Sequence, residues 1–145
     1  MKFAKAFLGA LIGSIIANLV ILYTLGSLVI NPAMPLHALS VGPIVLLTTV
    51  GIIGATIVYA LVRRFSARPN RMFFITAVIV LVLSFIPDLL IIGQTTGPFA
   101  GGTLPAALVL MCMHVAAAVI TVWSLTRLWG PRVIPQVKNA KGSPL

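Results

Sequence analysis

Four long apolar stretches separated by short polar segments dominate this chain. They run approximately over residues 7–27, 41–62, 72–92 and 104–125, and none of them contains Lys or Arg. A bilayer's hydrocarbon core of roughly 30 Å is crossed by about 20 helical residues, so each stretch is long enough to span it. The apolar character is uniform rather than alternating, which fits helices and not the strands of a membrane barrel. The pattern predicts an all-α membrane protein, a four-transmembrane-helix bundle with its two ends on one side. One domain is expected over residues 1–129, followed by a mobile basic tail over 130–145 that contains Pro131, Pro135, Lys138, Lys141 and Pro144.

The polar segments carry the punctuation of helix ends. Ser40 and Thr103 stand where N-caps belong, with Pro43 and Pro105 in the following first turns, where a missing N–H is tolerated. Asn31-Pro32 and Gly97-Pro98 mark two loops. Tyr23, Tyr59, Trp123 and Trp129 fall near the ends of the apolar stretches, as interfacial anchors do. Lipid gives helices no hydrophobic reason to associate, so close backbone approach must supply dispersion contacts. Gly9, Gly13 and Ala17 on helix one, Gly51 and Ala55 on helix two, and Ala107, Ala117 and Ala118 on helix four are the small residues that permit it. They suit packing within one chain or across a homo-oligomer.

Charge fixes the expected orientation. The chain has 60% hydrophobic and 8% charged residues, too little polar surface to coat a water-soluble globule. Its ten Lys and Arg are Lys2 and Lys5 before helix one; Arg63, Arg64, Arg68 and Arg71 between helices two and three; and Arg127, Arg132, Lys138 and Lys141 after helix four. Cations in short loops are retained in the cytoplasm, so both termini and the second loop are expected there, with Arg63, Arg64, Arg68 and Arg71 forming a basic loop facing lipid head groups. The net charge of +9 does not point to nucleic acid, because the cations are divided among apolar stretches and form no single solvated face. Lys2 and Lys5 before an apolar run also resemble a signal peptide. The run is longer than a 7–15-residue signal core and lacks a convincing cleavage site before Asn31, so it is expected to stay as a helix.

Asp88 is the sole acidic residue, placed about one turn inside the end of helix three. A carboxylate in the membrane is costly and marks a polar site by default. Its helical neighbours Ser84, Leu81 and Ala77 form a mostly small or polar stripe, and Pro87 beside it removes the bond to Leu83 and predicts a kink. His114 on helix four is the ionisable partner within reach. Counted at 1.5 Å per residue, Asp88 lies roughly 7 Å and His114 roughly 15 Å below the loop that joins their helices, and each side chain leans toward the other's depth. Ala107 and Thr121 at heptad spacing suggest that His114 points inward. Asn18, with Ser14 one turn before it, is a further member of a candidate intramembrane site of Asp88, His114, Asn18 and Ser84, and Thr49 and Thr56 complete the polar inventory.

The residues that would carry other chemistries are missing from the sequence. There is no P-loop, GxSxG or HExxH motif and no carboxylate pair, so no catalytic residue is expected and enzymatic activity is not. Cys112 alone cannot form an intrachain disulfide or a thiol relay. Metal or haem ligation would need more ligands than His114 with His37, a loop histidine, so neither a metal nor a cofactor is expected.

Several short motifs in order along the chain carry a family resemblance: Ala17-Asn18-Leu19-Val20, the Arg-rich second loop, Leu83-Ser84-Phe85-Ile86-Pro87-Asp88 and Met113-His114-Val115-Ala116-Ala117. Over about residues 6–125 the sequence resembles an uncharacterised family of bacterial four-helix membrane proteins, domain of unknown function 6069. The resemblance implies a bacterial plasma-membrane location and a polar signature at Asn18, Pro87 and His114. It supplies no activity.

Two function classes follow. In one, the protein is a structural, accessory or partner-binding membrane component, a homo-oligomer or part of a larger membrane complex, whose buried polar groups fix helix packing. In the other, it is a small proton-linked transporter or small-molecule binder in which Asp88 and His114 exchange a proton and Asn18 orients a ligand.

Overall fold

The computed structural model describes residues 2–29, 36–97 and 100–129. The expected tail, with Arg132, Lys138 and Lys141, and the Asn31-Pro32 and Pro98 turn positions lie outside the described residues. Among the described residues the only regular structure is helical. Four helices are long and apolar enough to cross a membrane: α1 Lys2–Val29, α2 Val41–Phe65, α3 Pro69–Leu90 and α4 Leu104–Trp129.

Every helix reaches further at its cation-bearing end than its apolar stretch suggested; α3 does so by starting at Pro69. Hydropathy reports the thickness of hydrocarbon, whereas the helix continues until the backbone finds a reason to stop. Lys2 and Lys5 lie within α1, Arg63 and Arg64 in the last turn of α2, Arg71 in the first turn of α3 and Arg127 in the last turn of α4. Of the expected basic loop, only Arg68 is in the connection itself, which is reduced to residues 66–68. Arg63 and Arg64 at a helix C-terminus meet the negative end of the backbone dipole. Pro69 begins α3 at the position where the ring costs no hydrogen bond. At the far end, α3 stops at Leu90, and residues 91–93 are turn.

Adjacent helices are antiparallel and sit in cyclic order. Each packs on its neighbour in sequence, and α1 closes the ring against α4. On α1 the buried positions recur every fourth residue, at Ala6, Ala10, Ser14, Asn18, Leu22 and Gly26. Gly9 and Gly13 flank this stripe on the α4 side. A methyl group at Gly9 would meet Leu128 at 3.4 Å and one at Gly13 would meet Ile120 at 3.1 Å. Gly51 of α2 instead faces outward with nothing within 4 Å. The other small positions divide in the same way: Ala107 is fully buried, and Ala55, Ala117 and Ala118 are half-buried.

Two apolar clusters close the bundle. At the cation-bearing end, which we call the basic end, Ala6, Tyr59, Phe73 and Leu125 are buried together. At the opposite end a 3₁₀ turn, His37–Leu39, folds over the bundle. Leu36 before it and Leu39 within it pack with Leu22, Ile44, Ile91 and Met113, while His37 stays exposed. Thr103 caps α4 by accepting from the Ala106 N–H at 3.3 Å. Ser40 occupies the N-cap position of α2, but its hydroxyl donates to the His37 carbonyl at 2.7 Å and so secures the 3₁₀ turn instead. In the α3–α4 connection, Gly93 and Gly101 take positive φ and exchange bonds with Gly102 and Gln94, each at 3.0 Å.

Two π turns interrupt the α geometry, Leu22–Gly26 in α1 and Leu125–Trp129 at the end of α4. The exterior is apolar around the whole bundle; on α2 alone Leu46, Leu47, Val50, Ile53, Ile57 and Leu61 are exposed. Soluble monomers do not display contiguous apolar patches of this extent. Hydrocarbon is the solvent that such a surface matches.

Candidate functional site

Asp88 and His114 meet. His114 Nδ1 lies 2.9 Å from Asp88 Oδ2, joining α3 to α4. The two partners differ in exposure: the Asp88 side chain is 8% exposed and that of His114 is 41% exposed. His114 was expected to point into the bundle with Ala107 and Thr121. Those two are buried, but the histidine ring reaches sideways along the α3–α4 seam, where Asp88 is, and leaves part of its edge on the outer surface. Among the described residues the ring's Nε2 has no hydrogen-bond partner.

A charge within hydrocarbon is costly, and a close partner offsets part of that cost. The contact forms with the hydrogen on either side, since the donor and acceptor roles of the imidazole depend on its tautomer.

Ser84, one turn from Asp88, donates to its own helix at the Leu81 carbonyl, 2.7 Å away, and does not bridge to another helix. Pro87 lies inside α3, which continues to Leu90; its ring leaves the Leu83 carbonyl without the usual intrahelical donor. Asn18 joins a different seam. Its amide Nδ2 donates to the Thr48 hydroxyl of α2 at 2.9 Å. The cyclic helix order explains this: α2 is beside α1, whereas α3, with Asp88, is across the ring. Among the described residues, the Asn18 Oδ1 and the Ser14 hydroxyl, one turn apart in the core, have no hydrogen-bond partner. Thr49 and Thr56 bond back to Val45 and Ile52 of their own helix, each at 2.7 Å.

The α2–α3 seam holds a third bridge that the sequence reading did not find. The Tyr59 phenol donates to Asn70 Oδ1 at 2.8 Å. Around it is an aromatic cluster. Phe73 and Trp129 lie 4.8 Å and 5.5 Å from the Tyr59 ring, and Phe3 packs edge-on to Trp129 at 4.8 Å. Arg63, expected to face lipid, lies with its guanidinium 4.4 Å from the centre of the Trp129 ring and 5.9 Å from that of Tyr59. With one acid in the chain and that acid at the opposite end, aromatic faces are the counterpart available to a basic-end cation. The available signal was the coincidence of four aromatic residues and an Arg at one end of the four helices.

Two grooves score the exterior. One, of about 470 Å³, follows the α1–α4 seam past Gly9, Gly13, Ile120, Ser124 and Leu128. The other, of about 300 Å³, follows the α3–α4 seam past Phe74, Ala77, Leu81, Ala118, Val119 and Trp123. Both are lined almost wholly by apolar atoms. Among the described residues no three His, Cys, Asp or Glu side chains gather in a way that could hold a metal ion.

These features define a class: a small four-helix bundle of membrane-spanning length, with polar side chains bridging its seams. Within that class the chain belongs to a family of unknown function (DUF6069), whose family model matches residues 3–130. No curated protein and no solved structure matches it.

Proposed function

We infer that the protein is a structural or accessory component of the plasma membrane, a rigid four-helix scaffold that offers its apolar exterior to a membrane partner or a larger complex. The observation that carries this reading is the placement of the polar groups. Asn18–Thr48 joins α1 to α2, Tyr59–Asn70 joins α2 to α3, and Asp88–His114 joins α3 to α4, one side-chain bridge at each successive seam. The fourth seam, α4 to α1, closes by the approach of Gly9 and Gly13. Polar groups arranged in this way act as interhelical fasteners. The cations Lys2, Lys5, Arg63, Arg64, Arg71 and Arg127 share the basic end, so the positive-inside rule puts that end, with both termini, in the cytoplasm.

The test is isosteric replacement. Asp88→Asn and His114→Gln retain hydrogen-bonding capacity at the α3–α4 seam. If the pair is a fastener, both variants keep their resistance to unfolding in lipid and their cellular phenotype. Loss of a pH-driven flux in proteoliposomes, with the fold intact, would instead establish the transporter reading. That second reading rests on one observation, the exposed ring edge of His114 over a buried acid.

A further inference from the structure

We propose that α4 carries a binding site for an anionic diacyl phospholipid, its phosphate on Arg127 and one acyl chain in each of the two grooves that flank the helix. The inference goes beyond the scaffold reading and does not depend on it. The two grooves share a wall. Val119 and Trp123 line the α1–α4 groove and the α3–α4 groove alike, so they form a ridge between the two. Both stand out from the bundle, 62% and 58% exposed. Arg127 follows them at the same four-residue spacing, one turn nearer the basic end, and is exposed too. A cation thus heads the ridge that divides two apolar troughs. A diacyl lipid has the matching form, one charged head and two tails.

Both grooves lie in one leaflet. The middle of α4 falls between Ala116 and Ala117, while its groove residues extend from Ala118 to Leu128. Gly9 and Gly13 likewise precede the middle of α1, and on α3 only Leu81 passes the middle, by about 2 Å. From Ala118 to Leu128 is about 15 Å at 1.5 Å per residue, the depth of one leaflet in a hydrocarbon core roughly 30 Å thick. Apolar walls suit acyl chains in both. Arg127 stands beside the last of these wall residues, Leu128, at the level where chains end and head groups begin.

Charge selects the head. Every described Lys and Arg is at the basic end, and the sole acid, Asp88, is near the opposite one. Arg63 and Arg64 have aromatic rings as counterparts. Among the described residues Arg127 has neither a ring nor an acid. Its guanidinium stays charged, and the planar fork matches two phosphate oxygens. A second cation flanks each groove at the same end: Lys5, one turn before Gly9, and Arg71, three residues before Phe74. A zwitterionic head would bring its own ammonium into this cluster, whereas a head of net negative charge, such as that of phosphatidylglycerol, is attracted without that offset.

The experiment uses the full chain with Trp129→Phe, which leaves Trp123 on the ridge as the one tryptophan. The protein is reconstituted in phosphatidylcholine bilayers in which a rising fraction is replaced by a lipid with brominated chains, either phosphatidylglycerol or phosphatidylcholine, and Trp123 quenching is followed. Half-maximal quenching is expected at a fraction of phosphatidylglycerol about fivefold lower than of phosphatidylcholine, the ratio that one cation near a membrane surface supplies. Arg127→Gln should remove most of that preference. Arg64→Gln, at the same end but on α2, across the ring from α4, should leave it. Ala118→Phe, which fills one groove and keeps Arg127, should raise the half-maximal fraction of phosphatidylglycerol. Circular dichroism and size-exclusion profiles establish that the variants are folded. Equal quenching by the two lipids in the parent overturns the proposal, as does a preference that Arg127→Gln leaves in place or a half-maximal fraction that Ala118→Phe does not move. Equal losses in the Arg127 and Arg64 variants overturn it as well, since they mark a diffuse attraction to the basic end. So does a Trp123 that neither lipid quenches, the result expected if a second copy of the chain covers the ridge.

Discussion

The Asn18 amide donates to the Thr48 hydroxyl at 2.9 Å and ties α1 to α2 inside the bundle. The two residues also mark a register. Ala6 and Tyr59 belong to one buried cluster, and their numbers, like those of Asn18 and Thr48, sum to nearly the same value, as antiparallel neighbours require. One side-chain bond thus reports the alignment of two whole helices.

Removing it should have a measurable cost. Asn18→Leu and Thr48→Val are each expected to lower resistance to unfolding in bicelles, with a coupling energy between them of about 0.6–1.7 kcal/mol. Additive effects in that double-mutant cycle would mean that the bond does not stabilise the fold.

Tyr59 tests the basic-end cluster. Tyr59→Phe keeps the ring against Phe73 and Trp129 and removes only the bond to Asn70, at an expected cost of about 0.5–1.5 kcal/mol. Trp129→Leu also removes the face on which Arg63 rests, worth about 0.5–1 kcal/mol when partly exposed. Its effect should shrink when Arg63 is replaced by Met, as unfolding measurements on the double variant would show.

Two glycines make opposite predictions. A methyl group at Gly102 would fall 2.0 Å from the Ile91 carbonyl oxygen, a backbone atom with no side-chain freedom to retreat. Gly102→Ala should therefore distort the α3–α4 connection and lower yield and thermal stability. Gly51→Ala meets nothing within 4 Å in mid-helix and should stabilise by about 0.5–1 kcal/mol through the smaller conformational entropy lost on folding. Thermal scans of the two variants should move in opposite directions.

Orientation is open to a direct check. A fluorescent protein fused after residue 145 should be bright in cells, and a periplasm-dependent phosphatase at the same site should be inactive. The reverse pair of results would place the basic end outside.

The helix count and order were legible because hydropathy sums over about 20 residues and tolerates local irregularity. Helix ends were not, since Lys5, Arg63 and Arg127 continue helices beyond the apolar stretches and only backbone geometry records it. The meeting of Asp88 and His114 followed from a short connection and a fixed rise per residue. The Thr48 partner of Asn18 did not, because Thr48, Thr49 and Thr56 share α2 and nothing local to the sequence says which faces α1. The rotation of His114 toward α3 was equally hidden. Heptad spacing describes a helix face, while a long side chain is drawn sideways by the one acid available to it.

The π turn at Leu22–Gly26 gives α1 a tolerance that α2 and α3 lack. A π turn holds one residue more than the α turn it replaces. Deleting a single residue there would let the backbone revert to α geometry while the flanking segments stay in phase, whereas the same deletion near Ser14 would swing half of α1 by about 100° and carry its buried stripe away from the core. The chain has a place where its length can change by one residue and its packing need not.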